Sequence, residues 1–408
     1  MTTTVATGNS LTVKHYNAAL FLESARIHTF SNMLTDGAPT LKGEEGKASG
    51  KQSQSGAPIV RIHDLEKGKG DTVYYDIFHQ LNQKPRMGDQ TLAGYGASLS
   101  YASDSMLINQ GRTMVTSGGA MSRQRTMHDL RSVSRSLLTP YYGRLEDQLM
   151  LVHLAGDRGQ DEAGDWIVPL ATDADFSSIM VNTVTPPTYD RHFYGGNATA
   201  LSNLDSSDGF SLDAVDKLRL TLDEMAYPLQ PIKYKDDPQS EENPFYVLMV
   251  TPRQWYDFWT GTDGDTWRTL ISNARSRTAN WKNPLFMGDC VMWNNILIKK
   301  QRRRIRFAAS STVTVCQNVA AATTTTVTAA VNTERAILLG AQALANAYGH
   351  AGTRGSMAFS WNEEETDHKN VREHSIAWMN GKKKIRFTGT DGRVNDHGVM
   401  VLDTYVSA

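Results

Sequence analysis

The sequence predicts a mixed α+β fold in which one long helix lies beside sheets built from segments distant in the chain. Three observations carry that expectation. In residues 71–81, Val73, Tyr75 and Ile77 alternate with Tyr74, Asp76 and Phe78, the period of two that marks a strand. Leu130, Val133, Leu137, Tyr141, Leu145, Leu149 and Val152 follow at spacings of 3, 4, 4, 4, 4 and 3, one stripe of a long helix. From 211 onward, strand-like and helix-like segments alternate, with no internal repeat of solenoid period.

Taken in order, residues 1 to about 57 read as an arm. A short helical patch (Tyr16, Leu20, Phe21, Ala25) precedes a polar, Gly-, Lys- and Ser-rich stretch over 36–56. Such a stretch cannot bury enough apolar surface to order itself, so it is a disordered linker or is ordered by neighbours. The strand over 71–81 leads to a tip of Lys84, Pro85, Arg86, Met87, Gly88 and Asp89, and a second extended stretch returns through Leu99, Tyr101, Met106, Ile108 and Val115. A lone two-stranded ribbon is marginal in water. This one therefore needs another surface, in its own chain or in a neighbouring subunit.

The helical stripe predicts a long, bent helix over about 127–156, with Thr126 and Asp129 resembling a capping box at its start. Burying all seven stripe residues would contribute roughly 10–20 kcal/mol as an upper bound. Pro140 would cost about 3 kcal/mol or kink the helix, so the stripe wins. Beyond a loop-rich 158–210, a helix is expected over 211–227 and a buried strand over 245–250. Thr251, Pro252 and Gln254 form a helix start: a cap, a proline at the first position and a glutamine at the third. A further helix is expected around 265–276 and extended segments over 289–307. A Thr/Ala-rich stretch fills 309–331. Then come strand followed by helix over 334–348, and strands from about 357, closing with 399–406.

Composition narrows the function. Among 408 residues, 42 Lys and Arg stand against 43 Asp and Glu, a formal net charge of -1. A chain that lives by gripping nucleic acid carries a clear basic excess, so tight DNA binding as the main task is disfavoured. The two cysteines, Cys290 and Cys316, lack metal-site spacing. So sparse a count suggests a reducing compartment and small buried side chains rather than a disulfide scaffold. The N-terminus has no charged-then-apolar signal pattern, and no run of roughly 18 apolar residues appears. The expectation is a soluble protein made in the cytoplasm.

No catalytic constellation stands out. Gly94 and Gly96 lack a third glycine and a following helix, and His368 and His374 flank Glu373 without forming His-Glu-x-x-His. Asp205, Asp208 and Gly209, like Asp263, Gly264 and Asp265, read as turns, lacking the alternating oxygen ligands of a calcium loop. Two basic runs echo each other: Arg302, Arg303, Arg304 before Ile305-Arg306-Phe307, and Lys382, Lys383, Lys384 before Ile385-Arg386-Phe387. They could face nucleic acid and neutralise phosphates. The favoured reading is that they blunt strand edges or pair with acidic residues such as 363–365 on a neighbour.

The order of several short stretches resembles the major capsid proteins of tailed phages, specifically the Enquatrovirus-type family with the Hong Kong 97-type fold. Gly70-Asp71-Thr72-Val73 opens the extended loop. Leu107-Ile108-Asn109-Gln110 and residues 121–126 (MSRQRT) lead into the long helix, which ends in Leu154-Ala155-Gly156. There follow 246–252, 283–288 (NPLFMG), 335–342 (RAILLGAQ), and Asp396-His397-Gly398-Val399 running on to Thr404.

The resemblance implies an N-terminal arm at 1–56, an extended loop and the start of the peripheral-domain sheet at 57–115, and the peripheral domain with its spine helix at 116–157. An axial domain at 158–350 and a return to the peripheral domain at 351–408 complete it. The implied function is a major capsid protein, not an enzyme, that self-assembles into the icosahedral shell around the phage double-stranded DNA. Loop-tip residues Lys84, Arg86, Met87 and Asp89 are the candidate intersubunit contacts. Expected partners are the chain itself in hexamers and pentamers, a portal, scaffolding or decoration proteins, and packaged DNA touched non-specifically. No cofactor, metal or membrane is expected, and the location is the virion, assembled in the host cytoplasm.

Nothing in the sequence matches, residue by residue, the Lys–Asn cross-link of the fold's type member, so that reaction is not carried over. A nanocompartment shell of the same fold is the alternative. A third reading, an enzyme or carbohydrate-binding protein, rests on Trp255, Tyr256, Phe258 and Trp259, whose helical spacing favours core packing.

Overall fold

The computed structural model describes Leu34 and residues 56–65, 70–118 (80, 82 and 97 apart), 120, 130–161, 165–234, 237, 243–277, 283–286, 288–319, 322–349 and 359–407. The arm, Leu34 and Gly56 apart, and the expected cap of Thr126 with Asp129 lie outside them.

Two sheets flank the long helix. The chain begins with β1 (Ile59–Leu65), β2 (Thr72–Phe78), β3 (Tyr101–Leu107) and β4 (Asn109–Thr116), then helix α1 (Leu130–Ala155) and the short α2 (Phe176–Met180). Next come β5 (His192–Tyr194), α3 (Leu212–Glu224), β6 (Tyr246–Val250), α4 (Pro252–Gly261) and α5 (Gly264–Arg277). After them run β7 (Cys290–Trp293), β8 (Ile296–Lys300), β9 (Arg306–Phe307), β10 (Thr312–Cys316), β11 (Thr324–Thr328), β12 (Thr333–Leu339) and β13 (Leu344–Gly349). The chain closes with β14 (Phe359–Thr366), β15 (Val371–Lys384), β16 (Arg386–Thr388), β17 (Val394–Asp396) and β18 (Val399–Tyr405).

The first sheet runs β1-β13-β15-β14, with β4 also on β15. The second runs β5-β18-β12-β6-β8-β7, with β9 on β12. Of the C-terminal strands, β14 and β15 lie in the sheet beside α1, whereas β18 sits between β12 and β5 in the second sheet.

At the centre of the second sheet, every residue of β12 is buried. Its side chains alternate between two cores. Ile337 and Leu339 join Val247, Met249, Val399 and Val401 beneath Met150, Leu151 and Leu154 of α1. Ala336 and Leu338 join Leu248, Val250, Met400 and Leu402 against Val215, Leu218 and Leu222 of α3 and Phe258 of α4. A strand covered on both faces reads as a continuous apolar run rather than an alternation. That explains one correction: the helix expected after the strand in 334–348 is instead the strand β13, entered through a turn with Gln342 at φ 55°. The apolar run through 345 carries no period that separates the two.

Helix α1 runs through Pro140 without ending. Its buried face is not the expected stripe throughout. Val133 and Leu137 are 42% and 60% exposed, and Ser134, Leu138 and Tyr142 turn inward instead. From Leu145 to Ala155 every residue is buried, polar ones included, so periodicity there no longer distinguishes inside from outside. The helix ends at Gly156, whose φ of 71° suits glycine and whose N–H donates to the Val152 carbonyl at 2.9 Å. The start of α4 is as expected: the Gln254 N–H donates to Thr251 Oγ1, and the Thr251 N–H donates to Gln254 Oε1 at 3.0 Å.

Buried charges join the layers. On β12, Arg335 donates through Nε and NH2 to the two carboxylate oxygens of Asp403, each at 2.7 Å, and through NH1 to the Ala155 carbonyl at 2.9 Å. Asp403 is its direct partner across β18. On α1, Glu146 Oε1 accepts from Lys382 Nζ and Asn380 Nδ2, both at 2.8 Å. This ties the helix to β15 where both partners are out of water.

Removing one member of such a pair leaves an uncompensated buried charge, whereas apolar replacement of both removes the desolvation cost as well. Glu146→Ala should therefore cost about 3–5 kcal/mol, and Glu146→Leu combined with Lys382→Met should come within roughly 1–2 kcal/mol of the parent. Denaturant unfolding of the three chains checks this, and equal losses in the single and double variants would refute it.

Burial also pushes the imidazole pKa values of His153 and His397 down, to about 3 and about 4. Both are neutral in the fold, so between those values and the ordinary 6.5 the unfolded chain binds more protons. Their contribution is full above about pH 6.5 and is lost as pH falls through 4 toward 3. The unfolding midpoint should be flat above neutrality and fall below it. His397→Phe should make the upper part of that decline shallower.

Candidate functional site

The strands β2 and β3 form a ribbon of their own, paired from Thr72↔Leu107 to Phe78↔Tyr101. Its root is the apolar part: Val73 and Met106 are buried with Val60, Ile62, Ile108 and Ile385. Outward from there the ribbon is bare. Tyr74, Phe78, Leu81, Met87, Leu92, Tyr95, Leu99 and Tyr101 are all exposed, Tyr74 at 73% and Met87 at 72%. The predicted tip residues Lys84, Arg86, Met87 and Asp89 lie together in this connection and are exposed. The tip is braced from within: Arg86 stacks 3.3 Å over the Tyr95 ring and donates to Gln90 Oε1 at 3.1 Å. Sequence reading named the charged tip but not the aromatic flank of Phe78, Tyr95 and Tyr101. The signal was present, since aromatics on both faces of a strand leave one set without a core.

The two basic runs are placed differently from each other, and the acids they meet are in their own chain. Arg302, Arg303 and Arg304 sit in a bend before β9 rather than in a strand, and Arg302 is exposed. Arg303 lies 3.7 Å from Asp147, and Arg304 is bonded through NH2 to Asp161 Oδ1 at 3.3 Å. The lysines of β15 each meet an acid on a different element: Lys382 with Glu146, Lys383 with Asp104 at 2.5 Å, and Lys384 with Asp396 at 2.8 Å. Burial pushes the Lys384 ammonium down to about 8. Burial also opposes the Asp396 carboxylate, but Lys384 and Arg386 outweigh it and hold its pKa below the ordinary value. The acids 363–365, offered as neighbours' partners, include Glu363 paired with Arg131 and Glu365 with Arg372 in the same chain.

The aromatic segment of α4 is split. Phe258 is buried and Trp255 packs edge-on against Trp267 at 5.5 Å, as core packing requires. Tyr256 and Trp259 are 59% and 54% exposed, which corrects the assignment of all four to the core. At 3.6 residues per turn Trp255 lies about 60° round the helix from the buried Phe258, Trp259 about 100° and Tyr256 about 160°, so the last two come out at the edge and back of the buried face. Both cysteines are free and buried, and burial raises their pKa values. Among the described residues, no group of three or more His, Cys, Asp or Glu could hold a metal ion, and no helix is long and apolar enough to cross a membrane.

The fold is that of known phage shells. The capsid of Ralstonia phage GP4 superposes with a TM-score of 0.70 and 25% sequence identity, over 100% of this chain and 99% of that one. The Cyanophage Pam1 capsid asymmetric unit gives 0.58 and 18%, over 87% and 90% of the two chains. The head structure of Helicobacter pylori bacteriophage KHP40 gives 0.56 and 13%, over 87% and 88%. These are shells of the Hong Kong 97-like fold, and the Enquatrovirus-type group is not singled out among them. No curated protein sequence matches the chain. A family model described as phage capsid protein matches residues 4–408. The chain therefore belongs to the phage capsid protein family and is a major capsid protein, a building unit of the viral shell.

Proposed function

We propose that copies of this chain join into hexameric and pentameric capsomers, and that the ribbon of β2 and β3 is laid over a neighbouring copy. The exposed apolar flank of the ribbon carries this reading. Eight large apolar side chains on one thin ribbon have no partner layer in their own subunit among the described residues. Contiguous apolar surface of this kind marks an interface, and a second subunit is what a shell provides at every position. Lys84, Arg86, Met87 and Asp89 are then the tip contacts. Interfaces of this type hold by accumulated area rather than by one strong contact.

In the same reading the five-stranded sheet with α1 forms the body of a peripheral domain, built from 57–157, from β13 at the end of the 158–350 stretch, and from β14 and β15. The helices α3, α4 and α5 with the second sheet form the axial domain around 158–350, to which β18 returns. The role is geometric rather than catalytic. Assembly takes place in the host cytoplasm, with a portal and separate scaffolding or decoration proteins as partners. Packaged double-stranded DNA touches the shell non-specifically, and Arg302, exposed in its bend, is the member of the basic runs placed to meet phosphate.

Replacing residues 80–99 by a short Gly-Ser turn should leave a folded subunit that no longer forms closed shells under conditions where the parent does. Circular dichroism, sedimentation and negative-stain imaging read the two properties separately. Closed shells of normal diameter from the shortened chain would overturn the reading.

A further inference from the structure

The ribbon must leave the body of the subunit at one point, and the backbone there is held in an uncommon way. Strand β4 pairs with β15 as far as Asn109↔Asn380, and β3 pairs with β2 from Leu107↔Thr72. Leu107 is thus the residue at which the chain passes from one ladder to the other. In an antiparallel ladder, alternate residues turn both their N–H and C=O away from the partner strand. At Leu107 those two groups meet no further strand. They meet the side chain of Asn182: the Leu107 N–H donates to Asn182 Oδ1 at 2.8 Å, and Asn182 Nδ2 donates to the Leu107 carbonyl at 2.9 Å. The same Nδ2 donates to the Lys382 carbonyl of β15 at 3.1 Å. One buried side-chain amide therefore replaces a missing strand and bridges the ribbon root to the sheet.

The surroundings are shaped for this contact. Asn182 follows directly on α2, and Val181 before it holds a φ of 64°, a conformation a β-branched residue adopts only when its surroundings dictate it. At Gly381 an added Cβ would lie 2.0 Å from the Leu107 carbonyl oxygen, so glycine lets β15 approach the root. Lys383, through Asp104 and the Ser105 carbonyl, adds a second clasp on β3 at 2.5 and 2.7 Å. Beside the clamp is a cavity of about 410 Å³ lined in part by Asn109, Gln110, Val181 and Gly381.

We propose that Asn182 is a positioning residue for shell assembly: its amide fixes the direction in which the ribbon leaves the subunit, and so where the ribbon arrives on the next copy. This rests on the ribbon reading above. The test is a distance between ribbon and body in the full-length, unassembled subunit. Spin labels are placed at Met87→Cys and Leu220→Cys, both exposed in the parent, with the native cysteines buried.

The parent should give one narrow distance distribution. Asn182→Ala should broaden it, raise the exchange rate of the Leu107 amide on the order of tenfold, and yield misshapen or unclosed shells while circular dichroism is unchanged. If the alanine variant does not fold, Asn182→Asp carries the measurement, because it keeps the acceptor for the Leu107 N–H and loses both donated bonds. It too should broaden the distribution. A distribution as narrow as the parent's in a folded variant overturns the clamp and leaves the ribbon reading standing. Normal shells from the chain lacking 80–99 overturn the ribbon reading, while the distance still reports on the clamp.

Discussion

A guanidinium with no access to water is tolerable only if its donors are taken up by partners that are themselves held in place. Arg335 meets that condition, and the architecture follows from how. Asp403 lies directly across the ladder and accepts two bonds. The third goes to the carbonyl of Ala155, the last residue of α1, where the helix leaves an unpaired acceptor and the negative end of its dipole. His192 on β5 also reaches Asp403, at 2.7 Å. One side chain thereby fixes the end of the long helix relative to three strands of the second sheet. Burial opposes the Asp403 carboxylate, but Arg335 and His192 outweigh it and hold its pKa far below the ordinary value, so the charge pair persists across the physiological range.

The same logic recurs farther back along the helix and in the C-terminal strands. Glu146 joins α1 to β15 through Lys382 and Asn380, and Lys384 and Arg386 converge on Asp396. The basic runs, read in the sequence as strand-edge charges or partners of a neighbour's acids, pair with acids of their own chain in five of the six positions, leaving Arg302 exposed. Rigid layers joined in this way suit a shell unit, because the direction of a projecting element is only as well defined as the body that carries it.

The ribbon is the part that the subunit leaves incomplete. Its root is packed and clamped, and its outer length shows aromatic and aliphatic side chains to solvent. Conversely, Val133 and Leu137 on the first half of α1 were expected inside and are bare. In a monomeric protein such surface would invite aggregation. In the reading proposed above it is the surface that neighbouring copies cover.

What the sequence determined by itself is whatever one chain segment decides locally. The period of two over 71–81, the long helix, the cap at Thr251 and Gln254, and the uniform apolar strand at 246–250 were all legible, because each depends on neighbours within a few residues. The order of short motifs extended this to the capsid fold.

The tertiary structure decided the rest. It made 344–349 a strand, because burial on both faces erases the period that separates strand from helix. It turned the first half of α1 onto Leu138 and Tyr142. It matched Arg335 with Asp403 across 68 positions and Asn182 with Leu107 across 75. No local pattern records such pairs, since Arg335, Asp403 and Asn182 each look alone like ordinary polar side chains, and Leu107 takes part through its backbone. Only the approach of two distant segments removes them from water and makes the partner obligatory.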